Sequence, residues 1–170
     1  MNNQRLDLGR VDDFQIESFG EPGQRTFRIH ISKTGGTVSL WLEKYQVTML
    51  GSAIEELLTR LPGTNRETVM EPGSTFLGEL EVRAGELSIA YNQESNSFLV
   101  EAGDFESAFD LETITFQSDR VHLQTLHAEI EKIVAASRPR CVLCGTPLTG
   151  EPHFCPGQNG HAKLKVDEPS

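Results

Sequence analysis

The sequence predicts an α+β fold: a mostly antiparallel sheet of about seven strands with two packed helices, plus a small C-terminal zinc-knuckle segment. Three observations predict it. Short runs alternate apolar and polar residues between turn signals, two longer runs carry apolar residues at helical spacing, and all three cysteines lie between positions 141 and 155. Side chains alternate across a strand with period two and recur on a helix face with period 3.6, so each pattern selects one geometry.

The strands come in two sets. "DDFQIESFG" alternates at Phe14 and Ile16, "RTFRIHISK" at Phe27, Ile29 and Ile31, and "TVSLWLEK" at Val38, Leu40 and Leu42. "GEPGQ" and "KTGGT" supply the turns, and the double glycine Gly35-Gly36 between two alternating runs reads as a hairpin. A phosphate-cradling loop is the rival there, but neither G-x-x-x-x-G-K-[ST] nor G-x-G-x-x-G opens a helix after it. The second set is "FLGELEVR", "GELSIAYN", "SFLVEAGD" and "DLETITFQ", with the rhythm of an antiparallel meander.

A helix is expected in "QVTMLGSAIEELLTRLPG", where Val47, Leu50, Ile54, Leu57, Leu58 and Leu61 share one face and Pro62-Gly63 ends the run. Gly51 counts against it, at about 1 kcal/mol relative to alanine. Residues 62 to 75, with two Pro-Gly pairs, read as the most flexible connection of the body. Ser118 is the expected N-cap of the second helix, with Asp119 in its first turn and Leu123, Leu126, Ile130, Ile133 and Val134 lining its apolar face. The division is a body over residues 1–137 and a Cys/His tail module over 138–166.

Composition excludes several function classes. A net charge of −10 disfavours nucleic acid as a partner, because a polyanion is repelled by the body. No apolar run reaches the roughly 18 residues of a membrane span, and "MNNQRLDLGRVDD" lacks the basic-then-apolar pattern of a secretory leader, so the expectation is a cytoplasmic protein. The charge is uneven: Arg138, Arg140, Lys163 and Lys165 against Glu151 make the tail locally basic on an acidic body. Such a tail can dock on the body, bind an acidic partner or be a solvated face.

Cys141 and Cys144 form C-x-x-C followed by Gly145, a spacing that lets one tight turn present two thiolates to a single ion. His153 and Cys155 are two apart, which puts both side chains on one face of an extended segment. Cys141, Cys144, His153 and Cys155 thus make a Cys3His set suited to Zn2+, with His161 as the alternative fourth ligand. Three cysteines cannot all pair within one chain, and a cytoplasmic setting disfavours disulfides. A redox C-x-x-C belongs at a helix N-terminus, whereas this one follows Arg138-Pro139-Arg140 in a loop. A catalytic zinc would need an open position and a nearby acid or base, for which only His161 and Glu151 offer themselves.

The tail "SRPRCVLCGTPLTGEPHFCPGQNGH" resembles that of an uncharacterised bacterial family, domain of unknown function 3090, whose members end in a pattern close to G-R-P-x-C-P-L-C-x-x-P-L-x-P-x-G-H-x-C-x-R-x-N-G. The similarity extends through "FGEPGQRTFRIHI", "LEKYQVTMLGSAIEELL" and "LHAEIEKIVAASRP". Val142 stands where that family usually has proline and Ser137 where it often has glycine; neither removes a ligand. The family pattern keeps H-x-C and varies after N-G, which favours His153 over His161. The resemblance implies no activity. It does imply partners, since the family's genes often lie beside those of a phosphatidylinositol-kinase-like protein and a phosphoglycerate-mutase-like phosphatase.

Other candidate chemistry is sparse. His122 and His127, five apart on a helix, do not share a face, and His30 between Ile29 and Ile31 reads as a sheet-face residue. Glu43, Lys44 and Gln46, where strand gives way to helix, and Arg25 in the turn "PGQRTF" are the candidates for a polar cleft. Two function classes follow. One is a non-enzymatic protein-interaction or accessory module with a structural zinc. The other is a protein or enzyme binding a small molecule or phosphate ligand, with its cleft near Arg25, Glu43, Lys44 and Gln46. A pocket with convergent polar groups around those four separates them.

Overall fold

The computed structural model describes residues 4–103, 105, 111–146, 148 and 153–155. Eight strands and two helices run in the order β1 (Gln4–Arg10), β2 (Asp13–Phe19), β3 (Thr26–Lys33), β4 (Gly36–Leu42), α1 (Lys44–Arg60), β5 (Gly78–Arg83), β6 (Glu86–Asn92), β7 (Ser97–Gly103), β8 (Leu111–Ser118) and α2 (Arg120–Ala136). The α+β class holds, but the expected single sheet is two four-stranded sheets, ordered β1-β8-β7-β6 and β2-β3-β4-β5.

Each sheet is mixed. The pairs β2-β3, β3-β4, β6-β7 and β7-β8 are antiparallel, while β1 pairs parallel with β8 and β4 parallel with β5. The eighth strand is β1, absent from the sequence reading. Its "QRLDLGR" alternates only over Leu6, Asp7 and Leu8, and its register with β8 shifts between Gln4 and Arg5 and again between Asp7 and Arg10.

A single apolar cluster draws on both sheets and both helices. The alternation in β3 buries Phe27, Ile29 and Ile31, and β4 buries Val38, Leu40 and Leu42, while β7 and β8 contribute Phe98, Val100, Ile114 and Phe116. The helix faces follow their periodicity: Val47, Leu50 and Ile54 of α1 and Leu123, Leu126 and Ile130 of α2 are buried. Gly51, which argued against α1 locally, lies where the two helices meet. A β-carbon there would sit 2.8 Å from Ile130 Cγ2, so the missing side chain permits the contact.

Two local expectations change. Asp119, rather than Ser118, caps α2, its Oδ1 accepting the His122 backbone N–H at 2.7 Å, while Ser118 remains in β8. The connection over residues 62–75 is pinned instead of loose. Glu71 O accepts from Arg10 N (2.6 Å), Ser74 N–H donates to Asp7 O (2.6 Å), and Arg66 donates to the carbonyls of Gln93 and Glu94 at 3.0 Å each. Lys33 Nζ also donates to the carbonyls of Leu8 and Pro72. Gly9 and Gly73 make this crossing possible. Both have positive φ, and a β-carbon on either would meet the other strand's backbone at 2.3–2.4 Å.

Candidate metal centre

The centre is built from the end of α2 outward. Ser137 caps the helix, and Pro139 lacks the N–H that a continued helix would need. Gly23, in the β2-β3 turn, donates its N–H to Ser137 O at 3.0 Å and lies against the Pro139 ring. The exit of α2 is thereby held on the body. Beyond it a closed turn forms: Gly145 N–H donates to Cys141 O and Cys141 N–H to Thr146 O, both at 2.9 Å. Gly145, at φ +72°, lets that turn close and aim two sulfurs the same way. Leu148 N–H donates to Pro139 O (2.6 Å), tying the outgoing chain to the incoming one.

The second arm completes the set. One donor atom from each of Cys141, Cys144, His153 and Cys155 lies within 4.8 Å of every other. Cys141 Sγ is 3.6 Å from Cys155 Sγ, and Cys144 Sγ is 3.6 Å from His153 Nε2. A disulfide would require about 2.05 Å. A tetrahedron with metal–sulfur bonds of about 2.3 Å has edges of roughly 3.8 Å, close to both separations. This Cys3His group could hold a metal ion. Cys155 is buried, Cys141 and Cys144 are half-buried, and His153 is exposed.

The electrostatics favour the ligand form of the sulfurs. The backbone N–H groups of Cys144 and then Leu143 aim at Cys141 Sγ and hold its thiol below the ordinary range. Cys144 is pulled down to about 6, first by the Thr146 hydroxyl 3.2 Å away, then by the Thr146 backbone N–H and by His153. His153 is correspondingly raised, by Cys144 first and Cys141 second. The two cysteine shifts stabilise thiolate, the form that binds metal, whereas the raised His153 must give up its proton to coordinate. Thr146 was missed in the sequence. The signal was a hydroxyl two residues past the second cysteine, within reach of its sulfur.

His161, the alternative ligand, lies outside the described residues, as do Glu151, Lys163 and Lys165. His30 sits on the sheet face, its Nδ1 3.3 Å from Ser39 Oγ, while His122 pairs with Asp119 at 2.8 Å. His127 lies 3.9 Å from Glu131 and joins neither.

The expected polar cleft is only partly assembled. A cavity of about 460 Å³ is lined by Gly23, Gln24, Arg25, Thr26, Glu43, Lys44, Ser137 and Pro139, beside the entrance to the Cys/His segment. Three of the four expected residues meet there. Gln46 does not. It is buried, its Oε1 accepts the Glu43 backbone N–H at 2.7 Å, and its Nε2 donates to the carbonyls of Ala84 and Gly85 at 2.7 and 2.9 Å. Gln46 thus fastens the start of α1 to the β5-β6 turn. Glu43 is also engaged, its Oε1 2.7 Å from Arg83 Nη1. A second cavity, of about 430 Å³ and largely apolar, runs between α1 and β6 past Tyr45, Met49, Leu87 and Ile89.

Among the described residues no helix is long and apolar enough to cross a membrane. Residues 7–155 match the model of a protein family described as "Protein of unknown function (DUF3090)". The match ends on Cys155, so it takes in His153 and stops short of His161. No curated protein and no solved structure matches the chain.

Proposed function

Since the chain belongs to the DUF3090 family, whose description assigns no activity, we propose that it is a non-enzymatic accessory module. An α+β body, residues 1–137, offers a surface to protein partners, and a structural zinc folds the tail, residues 138–166. The observation that carries this reading is the convergence of four protein donors within 4.8 Å. Four protein ligands fill a tetrahedral zinc shell and leave no position for water or substrate, which is the mark of a structural site. Zinc fits the donors, since thiolate and imidazole together suit a borderline-soft ion. The tail has little apolar material of its own, and Val142, Leu143 and Phe154 are exposed, so its fold requires another source of stability.

The bacterial, cytoplasmic setting and the partners belong to the same proposal: the phosphatidylinositol-kinase-like and phosphoglycerate-mutase-like neighbours. Binding is expected to weaken with salt if Arg138, Arg140, Lys163 and Lys165 take part. The zinc is tested by elemental analysis of purified protein, expected at about one zinc per chain. His153→Ala is expected to lower that content far more than His161→Ala. The reverse result replaces His153 by His161 in the ligand set, and absence of zinc from all three proteins refutes the structural-zinc reading.

A further inference from the structure

Two cations, Arg25 and Lys44, meet without an ion pair among the described residues in the cleft beside the Cys/His segment. Arg25 lines it and is half-buried, with its Nε removed from solvent and lacking a hydrogen-bond partner among the described residues. The side-chain hydrogen bond of its guanidinium is a long one, 3.3 Å from Nη1 to Ser18 Oγ. Lys44, also half-buried, faces the same space, and its ammonium forms no ion pair or hydrogen bond among the described residues. The acid that lines the cleft, Glu43, is turned to Arg83 at 2.7 Å.

Lys44 is moreover the first residue of α1; the N-cap Glu43 accepts the Gln46 backbone N–H with its side chain, while the first turn itself contains no acid. A helix N-terminus carries the positive end of the macrodipole, so a cation there is disfavoured, and a second cation nearby adds to the cost. Burying the Nε of Arg25 without a hydrogen-bond partner is also costly. On a chain of net charge −10 this concentration of unpaired positive groups is out of keeping with the rest of the protein. An anion in the cleft would offset the like charge of Arg25 and Lys44 and give the Lys44 ammonium a partner.

We propose that this cleft is a binding site for a small phosphorylated molecule, its phosphoryl group held by Arg25, Lys44 and the Thr26 hydroxyl. Two unpaired cations match the charge of a phosphate monoester, near −2 at neutral pH. Arginine offers a fork of N–H donors to phosphate oxygens, and lysine adds a point charge. Thr26 lines the cleft, and its hydroxyl has no hydrogen bond among the described residues. The volume, about 460 Å³, exceeds what inorganic phosphate needs and falls within the range of small-molecule sites. Pro139 and Ser137 form the opposite wall, available to the remainder of the molecule. The site goes beyond the accessory role and does not depend on which metal the tail carries.

The test is titration calorimetry of the full chain at low ionic strength with inorganic phosphate, phenyl phosphate and acetate. Saturable one-to-one binding of phosphate is expected, tighter binding of phenyl phosphate, and much weaker binding of acetate. Arg25→Gln and Lys44→Gln are each expected to weaken phosphate binding by about tenfold or more. Lys132→Gln, on α2 and paired with Glu129, serves as the control and is expected to bind like the parent. If Arg25→Gln fails to fold, Lys44→Gln decides. Absence of saturable phosphate binding up to about 10 mM, or a natively folded Lys44→Gln protein with parental affinity, overturns the proposal. Acetate binding as tightly as phosphate overturns the phosphoryl assignment.

Discussion

The body and the Cys/His segment solve the same problem, the entropy of ordering a chain, with different means. The body buries side chains from four hairpins and two helices in one cluster, where Phe27, Phe98 and Phe116 are almost wholly removed from water. Between Arg140 and Cys155, where the described residues include three exposed apolar side chains and one buried cysteine, order comes from a few backbone hydrogen bonds and four converging donors. Burial is distributed and tolerates a single loss in proportion to the atoms removed. Coordination is concentrated, and losing one ligand forfeits most of it. The two regions should therefore respond to opposite perturbations.

The sharpest separation is Cys144→Ser. Metal coordination supplies on the order of 10 kcal/mol to a small site, so this change is expected to abolish metal binding and unfold the segment. The far-ultraviolet dichroism and unfolding midpoint of the body should stay close to parental. Joint loss of both regions in one transition would break the distinction.

Metal removal sharpens it from the chemical side. In chelator-treated protein the segment is expected to lose its fold with its metal, so Cys144 is expected to react with iodoacetamide with the midpoint of an ordinary thiol, 9, and not the value of about 6 that Thr146 and His153 impose in the folded segment. The sign follows from the hydrogen bonds: Thr146 and His153 favour the thiolate, so their contribution is fully present above pH 9 and is lost as pH falls through about 6. A midpoint near 6 in the chelated protein, read by mass spectrometry of the alkylated peptide, would mean that the segment keeps its fold without metal.

Within the body, Phe116→Ala removes a ring that packs on Phe14 at 5.1 Å between centroids. A loss of about 3–5 kcal/mol is expected in urea unfolding, with the metal content of the folded protein unchanged. Smaller again is Gly51→Ala. Alanine gains about 1 kcal/mol of helix propensity, but its β-carbon would press on Ile130 Cγ2 at 2.8 Å. Overpacking of about 1–3 kcal/mol should prevail, giving net destabilisation of up to about 2 kcal/mol. A stabilised variant would mean that the helices move apart at little cost.

The amino-acid sequence by itself determined the features carried by neighbouring residues. Period-two runs placed β2 to β8, period-3.6 runs placed both helices and their buried faces, and the spacings C-x-x-C and H-x-C picked out four donors that do converge. These are local properties: strand pleat, helix pitch and the reach of a tight turn are set within a few residues. Tertiary structure alone decided the rest. Strand β1 exists because β8, more than a hundred residues away, accepts it in parallel. The pairing of two strands at that range cannot be read from the pattern of either one. Two sheets form instead of one because β5 returns to β4 across α1 and a 17-residue connection, while β6 begins the other sheet. Gly51, a poor helix residue locally, is explained by Ile130 on another helix, and Gln46, read as a cleft residue, is drawn off by carbonyls 38 and 39 positions ahead. Arg25, Glu43 and Lys44 group in the sequence as cleft candidates, and they do line one cavity; only the fold decides that Glu43 pairs with Arg83 while Lys44 is left without an ion pair among the described residues.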